Sequence, residues 1–313
     1  MTTTALFDRS STARLELRGA DRQRFLNGLV TCDTKTLTPG HGAYGFFTDG
    51  KGRVLADVVV LALEDRLWLE LPAGQGDAIA SHLQKYIIAD RVDVGALDGW
   101  LPISLLGELP DGLFGLDAAP AVPYENLSLT AAGFAVHAVR EGRQGLDALS
   151  LWVPQEGAEA VAQALLAMPG VKAIGEQDVE VRRVAAGVGK WGQDFGPEHF
   201  PQETGAEAEA VSYTKGCYLG QEIVARIHYR GGVQRALRGL RFADAANSHL
   251  PALGTAIMAD GRESGRLTSV ARSAMWGTIG LAVLHQRVGE DGATVELETG
   301  ETATLAALPF GRP

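Results

Sequence analysis

The sequence predicts an α+β protein that ends in a small β-barrel or sandwich, on three observations. A strand-then-helix pattern opens the chain, a long apolar strand with a hairpin follows, and only short alternating runs occur after position 237. With 313 residues, 46% of them hydrophobic, the chain can bury a large core in two or three domains. The expected division is 1–235 for the α+β region, in two portions, and 236–313 for the barrel.

In Arg14-Leu15-Glu16-Leu17-Arg18 the leucines alternate with charge, as in a half-buried strand, and Asp21 is placed to cap a helix carrying Phe25, Leu26 and Leu29. Residues 54–63 read as a nearly continuous apolar strand, entered from Thr48-Asp49-Gly50-Lys51-Gly52 and turned back at Glu64-Asp65 into 66–71. Ala78, Ile79, Leu83, Tyr86 and Ile87 keep helical spacing over 75–89. Ala158, Val161, Leu165 and Leu166 do the same after a strand at 149–153. Residues 187–210, rich in glycine, proline and acid, lack periodicity and read as a long packed loop. Five or six strands then follow, at 237–242, 255–259, 265–271, 278–284 and 294–298, with Asp260-Gly261 as one turn.

The formal net charge of −10 opposes general nucleic-acid binding. Residues 215–241 run against it, with six cations to one carboxylate, Glu222. That strip either docks something anionic or forms a solvated face balanced by Glu198, Glu203, Glu207 and Glu209. No leader or 18-residue apolar span is readable, so no membrane insertion is expected. Two cysteines far apart, without zinc spacing, suit a reducing cytoplasm. No metal site is predicted: the seven histidines show no pair at ligand spacing, and His199, near Pro201, is expected to be exposed.

The most informative stretch is Lys215-Gly216-Cys217-Tyr218-Leu219-Gly220-Gln221-Glu222, continuing to Arg226. Lys215 lies two residues before Cys217, and 221–230 reads as a short helix whose free amides would face the thiol. Both would favour a thiolate. The alternative is a buried, inert cysteine. Cys32 has no such surroundings and reads as a core filler.

Asp57 stands within the apolar strand, where a carboxylate must be paired, be protonated, serve a ligand amine, or lie on a solvated face. Glu203, in Phe200-Pro201-Gln202-Glu203, is either a second ligand acid or a surface acid. Trp191 offers an aromatic face in a glycine-rich turn, or packs in a core. Arg235 could take a carboxylate with its planar guanidinium. Together these four side chains would suit a pterin with a glutamate tail.

The cysteine stretch resembles the hallmark of YgfZ-type folate-binding proteins, relatives of the glycine-cleavage T-protein (aminomethyltransferase). Weaker similar blocks follow in the family's order: Gly19-Ala20-Asp21 with Phe25 to Thr31, Gly50 to Asp57, Arg183-Val184-Ala185-Ala186-Gly187, Phe200 to Glu203, and Gly265-Arg266-Leu267-Thr268-Ser269. The resemblance implies a T-protein-like fold, two α/β portions around a central folate pocket with a C-terminal barrel. It also implies tetrahydrofolate as cofactor, with Asp57, Trp191, Glu203 and Arg235 binding it. Cys217 and Lys215 would carry the chemistry, within a motif completed by Gly216, Tyr218, Gly220, Gln221, Glu222 and Arg226.

The implied role is an accessory one in assembling or repairing iron–sulfur clusters of client enzymes, including those that modify tRNA. The T-protein usually has paired aspartates where Ala56-Asp57 stands, and its pocket asparagine has no counterpart in Leu69-Glu70-Leu71-Pro72. These losses weigh against aminomethyl transfer, which stays open as the alternative; a regulator linked to tRNA modification is the second.

Overall fold

The computed structural model describes residues 4–115, 119–142, 148–243, 249–273 and 275–311. Its residues fall into two compact units that interleave along the chain: 1–48, 56–176 and 209–219 in the first, 49–55, 177–208 and 220–313 in the second. The boundary expected at 235/236 lies at the start of the first barrel strand, Arg235–Phe242.

The first unit contains two sheets. Strands Gly42–Thr48, Val54–Ala62, Arg66–Leu71, Ala13–Arg18 and Asp93–Ala96 form one, in that spatial order. The hairpin at its centre is the one expected from the sequence. The other sheet has six strands, ordered Val171–Ala173, Thr4–Asp8, Trp100–Leu106, Ala148–Pro154, Phe134–Arg140 and Asn126–Ala131. Its first pair is parallel and the rest antiparallel.

Aromatic rings join the sheets: Trp68 stacks on Trp152 at 5.4 Å and lies 4.8 Å from both Trp100 and His137. Arg9 adds a polar tie, donating to Glu70 on one sheet and to Ser150, Ser104 and Glu141 on or beside the other. Helices α1 (Arg22–Asn27), α2 (Gly76–Gln84) and α3 (Ala158–Leu166) cover these sheets.

Two local expectations need correction. Asp21 occupies the N-cap of α1 without capping it, because its carboxylate accepts from the Arg91 backbone and Nε. Helix α2 stops at Gln84 rather than running to 89: β-branched Ile87 and Ile88 follow, and Ile88 is 91% exposed.

In the second unit six antiparallel strands close a barrel: Arg235–Phe242, Gly277–His285, Arg262–Ser273, Ala256–Ala259, Thr294–Leu297 and Thr302–Ala306. Leu240, Ile257, Leu267, Leu284, Val295, Leu297 and Leu305 fill it. Helix α4 (Glu176–Ala186), which has no clear sequence signal, lays Val184 and Ala185 on barrel residues Leu237, Ile279, Leu281 and Val283. Helices α5 (Glu207–Ala210) and α6 (Gln221–Arg230) follow. Among the described residues no helix is long and apolar enough to cross a membrane.

Candidate functional site

In the first unit, Asp57 is 3% exposed, which excludes the solvated-face reading. A buried carboxylate needs a donor, and Tyr44 on the adjacent strand supplies one, its hydroxyl 3.0 Å from Asp57 Oδ2. The Tyr44 ring stacks on Tyr124 at 6.5 Å and 16°. Tyr124 is buried, and its hydroxyl donates to Glu209. Its φ of 59° is a left-handed conformation that costs a non-glycine residue about 1–3 kcal/mol, so the surrounding contacts hold it there.

Glu209 begins a segment, 209–219, bound along this unit by successive hydrogen bonds. Thr31 Oγ1 accepts from Phe46 N and donates to Ala210 O; Ser212 N donates to Thr31 O. Lys215 Nζ then donates to three carbonyls, of Asn27, Val30 and Cys32, at 2.7, 2.7 and 2.6 Å. Leu219 N donates to Gly28 O, and Thr48 Oγ1 to Leu219 O.

Lys215 therefore caps the carbonyls that end α1 and the turn after it, which corrects the expectation that its ammonium activates Cys217. Burial lowers its pKa to about 8, opposed by the Cys32 and Asp33 charges. Cys32 is the core filler expected: it packs on Gly45, where a Cβ would lie 2.6 Å from its sulfur, and burial pushes its thiol up to about 12.

Tyr218 is buried with its ring 5.0 Å from Lys215 Nζ, and burial raises its phenol pKa. Cys217 and Gly216 stand exposed between these anchors. Gly220 caps α6 with φ 83°, and a Cβ there would sit 2.4 Å from Asp49 O, so no larger residue fits. Glu222 and Arg226 are exposed on α6, and Gln221 is half-buried.

In the second unit, a cavity of about 300 Å³ is lined by Arg53, Phe200, Glu203, Arg235, His285 and residues 232–234. Glu203, read from the sequence as a ligand or surface acid, is 4% exposed. Its carboxylate accepts from Phe200 N at 2.9 Å and Arg235 Nε at 3.0 Å, with Arg53 Nη1 3.9 Å away. Arg235 thus already holds a carboxylate of its own chain. Arg53 also stacks on the Phe200 ring, 3.7 Å above its centroid. His199 is buried, against expectation: its Nδ1 accepts from Gly196 N, and burial lowers its pKa, opposed by Glu198 and Glu203.

Trp191 lies half-buried in this unit, edge-on to Phe195 at 6.0 Å. Its turn is organised by Asp194, whose Oδ2 accepts from Lys190 N and pairs with Arg183 at 2.6 Å. Thr268 and Ser269 both donate to Asp194 Oδ1. Consecutive strand residues normally point to opposite faces; a register shift between Leu267 and Ser269 lets both hydroxyls reach one carboxylate. Two blocks of the resemblance, around Arg183 and around Thr268-Ser269, meet here as support for the Trp191 turn.

The basic strip is largely consumed. Arg235 pairs with Glu203, Arg238 with Asp291, Arg241 donates to the Trp276 and Gly311 carbonyls, and Lys215 sits in its carbonyl cage. Among the described residues Arg226 and Arg230 carry no ion pair. No cluster of three or more His, Cys, Asp or Glu that could hold a metal occurs among the described residues.

The sequence reasoning missed Tyr44, Tyr124, Glu209, Arg53 and Asp194. Only Asp194 had a signal, an acid in the glycine-rich turn beside Trp191.

The fold is that of an aminomethyltransferase. The crystal structure of glycine cleavage system aminomethyltransferase T from Bartonella henselae superposes with a TM-score of 0.85 at 22% identity, over 99% of this chain and 86% of that one. The chain belongs to the GCVT N-terminal domain family, whose model matches residues 1–215, as a YgfZ-type member of the glycine-cleavage T-protein superfamily. It is 27% identical over 309 residues to the human mitochondrial iron–sulfur cluster assembly factor IBA57, covering 94% of this chain and 81% of that protein. It is 26% identical over 289 residues to the tRNA-modifying protein YgfZ of Vibrio atlanticus, covering 90% and 84%. A probable aminomethyltransferase of Natronomonas pharaonis is 29% identical over 324 residues, covering 97% and 86%.

Proposed function

We propose that this protein binds a reduced folate, tetrahydrofolate or a derivative, and acts as an accessory factor in iron–sulfur cluster assembly or repair in the cytoplasm, with Cys217 as its reactive thiol. The observation that carries the reading is the division of labour within the cysteine motif. Lys215, Tyr218 and Gly220 are engaged in holding the backbone, while Cys217 stands exposed. Anchoring both flanks of one accessible thiol suits transient chemistry with a partner enzyme's cluster. A single thiol cannot hold a cluster alone, so the client or a small thiol completes any ligation.

Members of the superfamily take folate-type substrates, and the donor set here fits one. A reduced pterin presents N–H donors, and each unit taken by itself offers a buried acceptor, Asp57 in the first and Glu203 in the second. A carboxylate offers about four lone-pair sites, so Glu203 can receive a ligand N–H while Arg235 orients it. Trp191 supplies an aromatic face.

The test is Cys217→Ala. Activity of an iron–sulfur enzyme that modifies tRNA should be lost in cells carrying only this variant, while tetrahydrofolate affinity in purified protein stays near that of the parent. Unchanged client activity would sink the thiol role. A second reading, aminomethyl transfer to tetrahydrofolate, is favoured by the burial of Asp57 beside Tyr44. It requires turnover with a lipoyl-bound aminomethyl donor that Asp57→Asn removes.

A further inference from the structure

The cavity of about 300 Å³ in the second unit is lined by two guanidiniums, of Arg53 and Arg235, against one carboxylate, of Glu203. Arg235 and Glu203 match one to one: Nε lies 3.0 Å from Oε1 and Nη2 lies 3.4 Å from Oε2. The arginine expected to take a ligand carboxylate is therefore spent on a carboxylate of its own chain. Arg53 is the surplus cation. Among the described residues Glu203, 3.9 Å from its Nη1, is its one carboxylate neighbour within 4 Å, and Nη1 donates to the Glu198 carbonyl. Its Nε and Nη2 have no hydrogen-bond partner among the described residues.

Arg53 is also held in place by its own unit. Its amide donates to Asp49 Oδ1 at 2.8 Å, Asp49 N donates back to Arg53 O at 2.9 Å, and the guanidinium lies over Phe200, 3.7 Å from the ring centroid. A guanidinium fixed in this way loses little freedom on binding, and its planar fork matches a carboxylate or a phosphate. Phe200, Ile227 and Val233 give the cavity apolar walls, and His285 is engaged through Nδ1 by the Arg287 amide. These walls suit an apolar body with an anionic tip. The volume is at the small end for ligand sites, so it suits one part of a larger molecule.

We propose that Arg53 is the anion-binding residue of this cavity, receiving a carboxylate or phosphate group of a ligand whose body packs against Phe200, Ile227 and Val233. One source of the anion is the tail of a folate, which rests on the folate reading above. The other is a separate small anionic ligand, which does not.

Isothermal titration with two probes tests the site without a pterin: p-aminobenzoylglutamate, an aromatic dicarboxylate, and inorganic pyrophosphate. At least one should bind the parent, with an affinity that falls as salt rises. Arg53→Met should weaken it about 10-fold or more, and Arg53→Lys, which keeps the charge and loses the fork, should recover part of the loss. Arg238→Met removes an equal charge, from the pair with Asp291, and should leave the affinity unchanged. Arg53→Gln replaces Arg53→Met if that variant unfolds in urea at a much lower midpoint than the parent. Binding of neither probe, or an equal effect of the Arg53 and Arg238 variants, overturns the proposal.

The folate source is decided by a second pair of ligands. Arg53→Met should weaken tetrahydrofolate about 10-fold or more and leave tetrahydrobiopterin, a reduced pterin without a carboxylate, unchanged. Equal weakening of both would assign Arg53 to the ring or to packing and overturn its anion role. Failure of the parent to bind tetrahydrofolate would remove the folate reading alone, and the two pterin-free probes would still decide Arg53.

Discussion

Asp57 and Glu203 are both buried acids, and the two compact units hold them by different means. Asp57 is gripped through a neutral phenol, itself one ring of a stacked pair. Glu203 is gripped by the guanidinium of Arg235 and a backbone amide, with Arg53 nearby. A carboxylate between cations keeps one orientation before any ligand arrives. A carboxylate held by an aromatic partner moves when the aromatic pair moves. The second unit thus holds its buried acid by charge and the first by a neutral phenol.

Breaking the frame of each region gives the largest expected effects. Arg183→Met in the second unit strands the buried Asp194 charge and should cost about 3–5 kcal/mol in urea denaturation, with a shift in Trp191 emission. Trp68→Ala in the first unit removes the ring shared by both sheets and should cost a similar ~3–5 kcal/mol. If the contrast between ionic and aromatic support is right, ammonium sulfate below the precipitation limit widens the Trp68→Ala deficit, because it strengthens apolar burial, and does not widen the Arg183→Met one.

Intermediate effects sharpen the comparison of the two acids. Tyr44→Phe should cost about 1.5–3 kcal/mol, the scale of a hydrogen bond to a charged group, and should weaken tetrahydrofolate binding in isothermal titration. No loss of either would mean that Asp57 is held chiefly by other contacts.

The smallest expected effect is a pH slope. Lys215 has its pKa lowered to about 8 by burial, against about 10.5 when unfolded. Between those values the unfolded chain carries a proton that the folded chain has released, so this group makes stability rise with pH across that window and leaves it flat below. Denaturation midpoints of the parent should rise relative to Lys215→Met between pH 8 and 10. Parallel curves would show that Lys215 keeps an ordinary pKa.

The central hairpin, helices α1 and α3 and five barrel strands were legible because each is local: apolar residues at a period of two or 3.6 need only their own segment to be recognised. Helix α4 was missed because its apolar residues meet the barrel along a short face while Glu180 and Arg183 belong to a buried ion network. His199 looked exposed in an acidic loop, and its burial follows from its Nδ1 accepting from the Gly196 amide.

The site residues divide in the same way. Glycine at 220 could be suspected from a helix start, and Asp57 from its apolar strand, but the partners Tyr44, Glu209 and Arg53 lie on other elements and leave no spacing to read. Lys215 shows the limit most plainly: two residues from Cys217 in sequence, its ammonium reaches carbonyls of residues 27, 30 and 32.

Sequence by itself determined the α+β body and the terminal run of short strands, because periodicity is a property of contiguous residues. Only the tertiary structure decided what each motif residue does. A charged or polar side chain satisfies its hydrogen bonds with whatever the fold brings within about 3 Å, and those partners come from strands and turns far away in the chain.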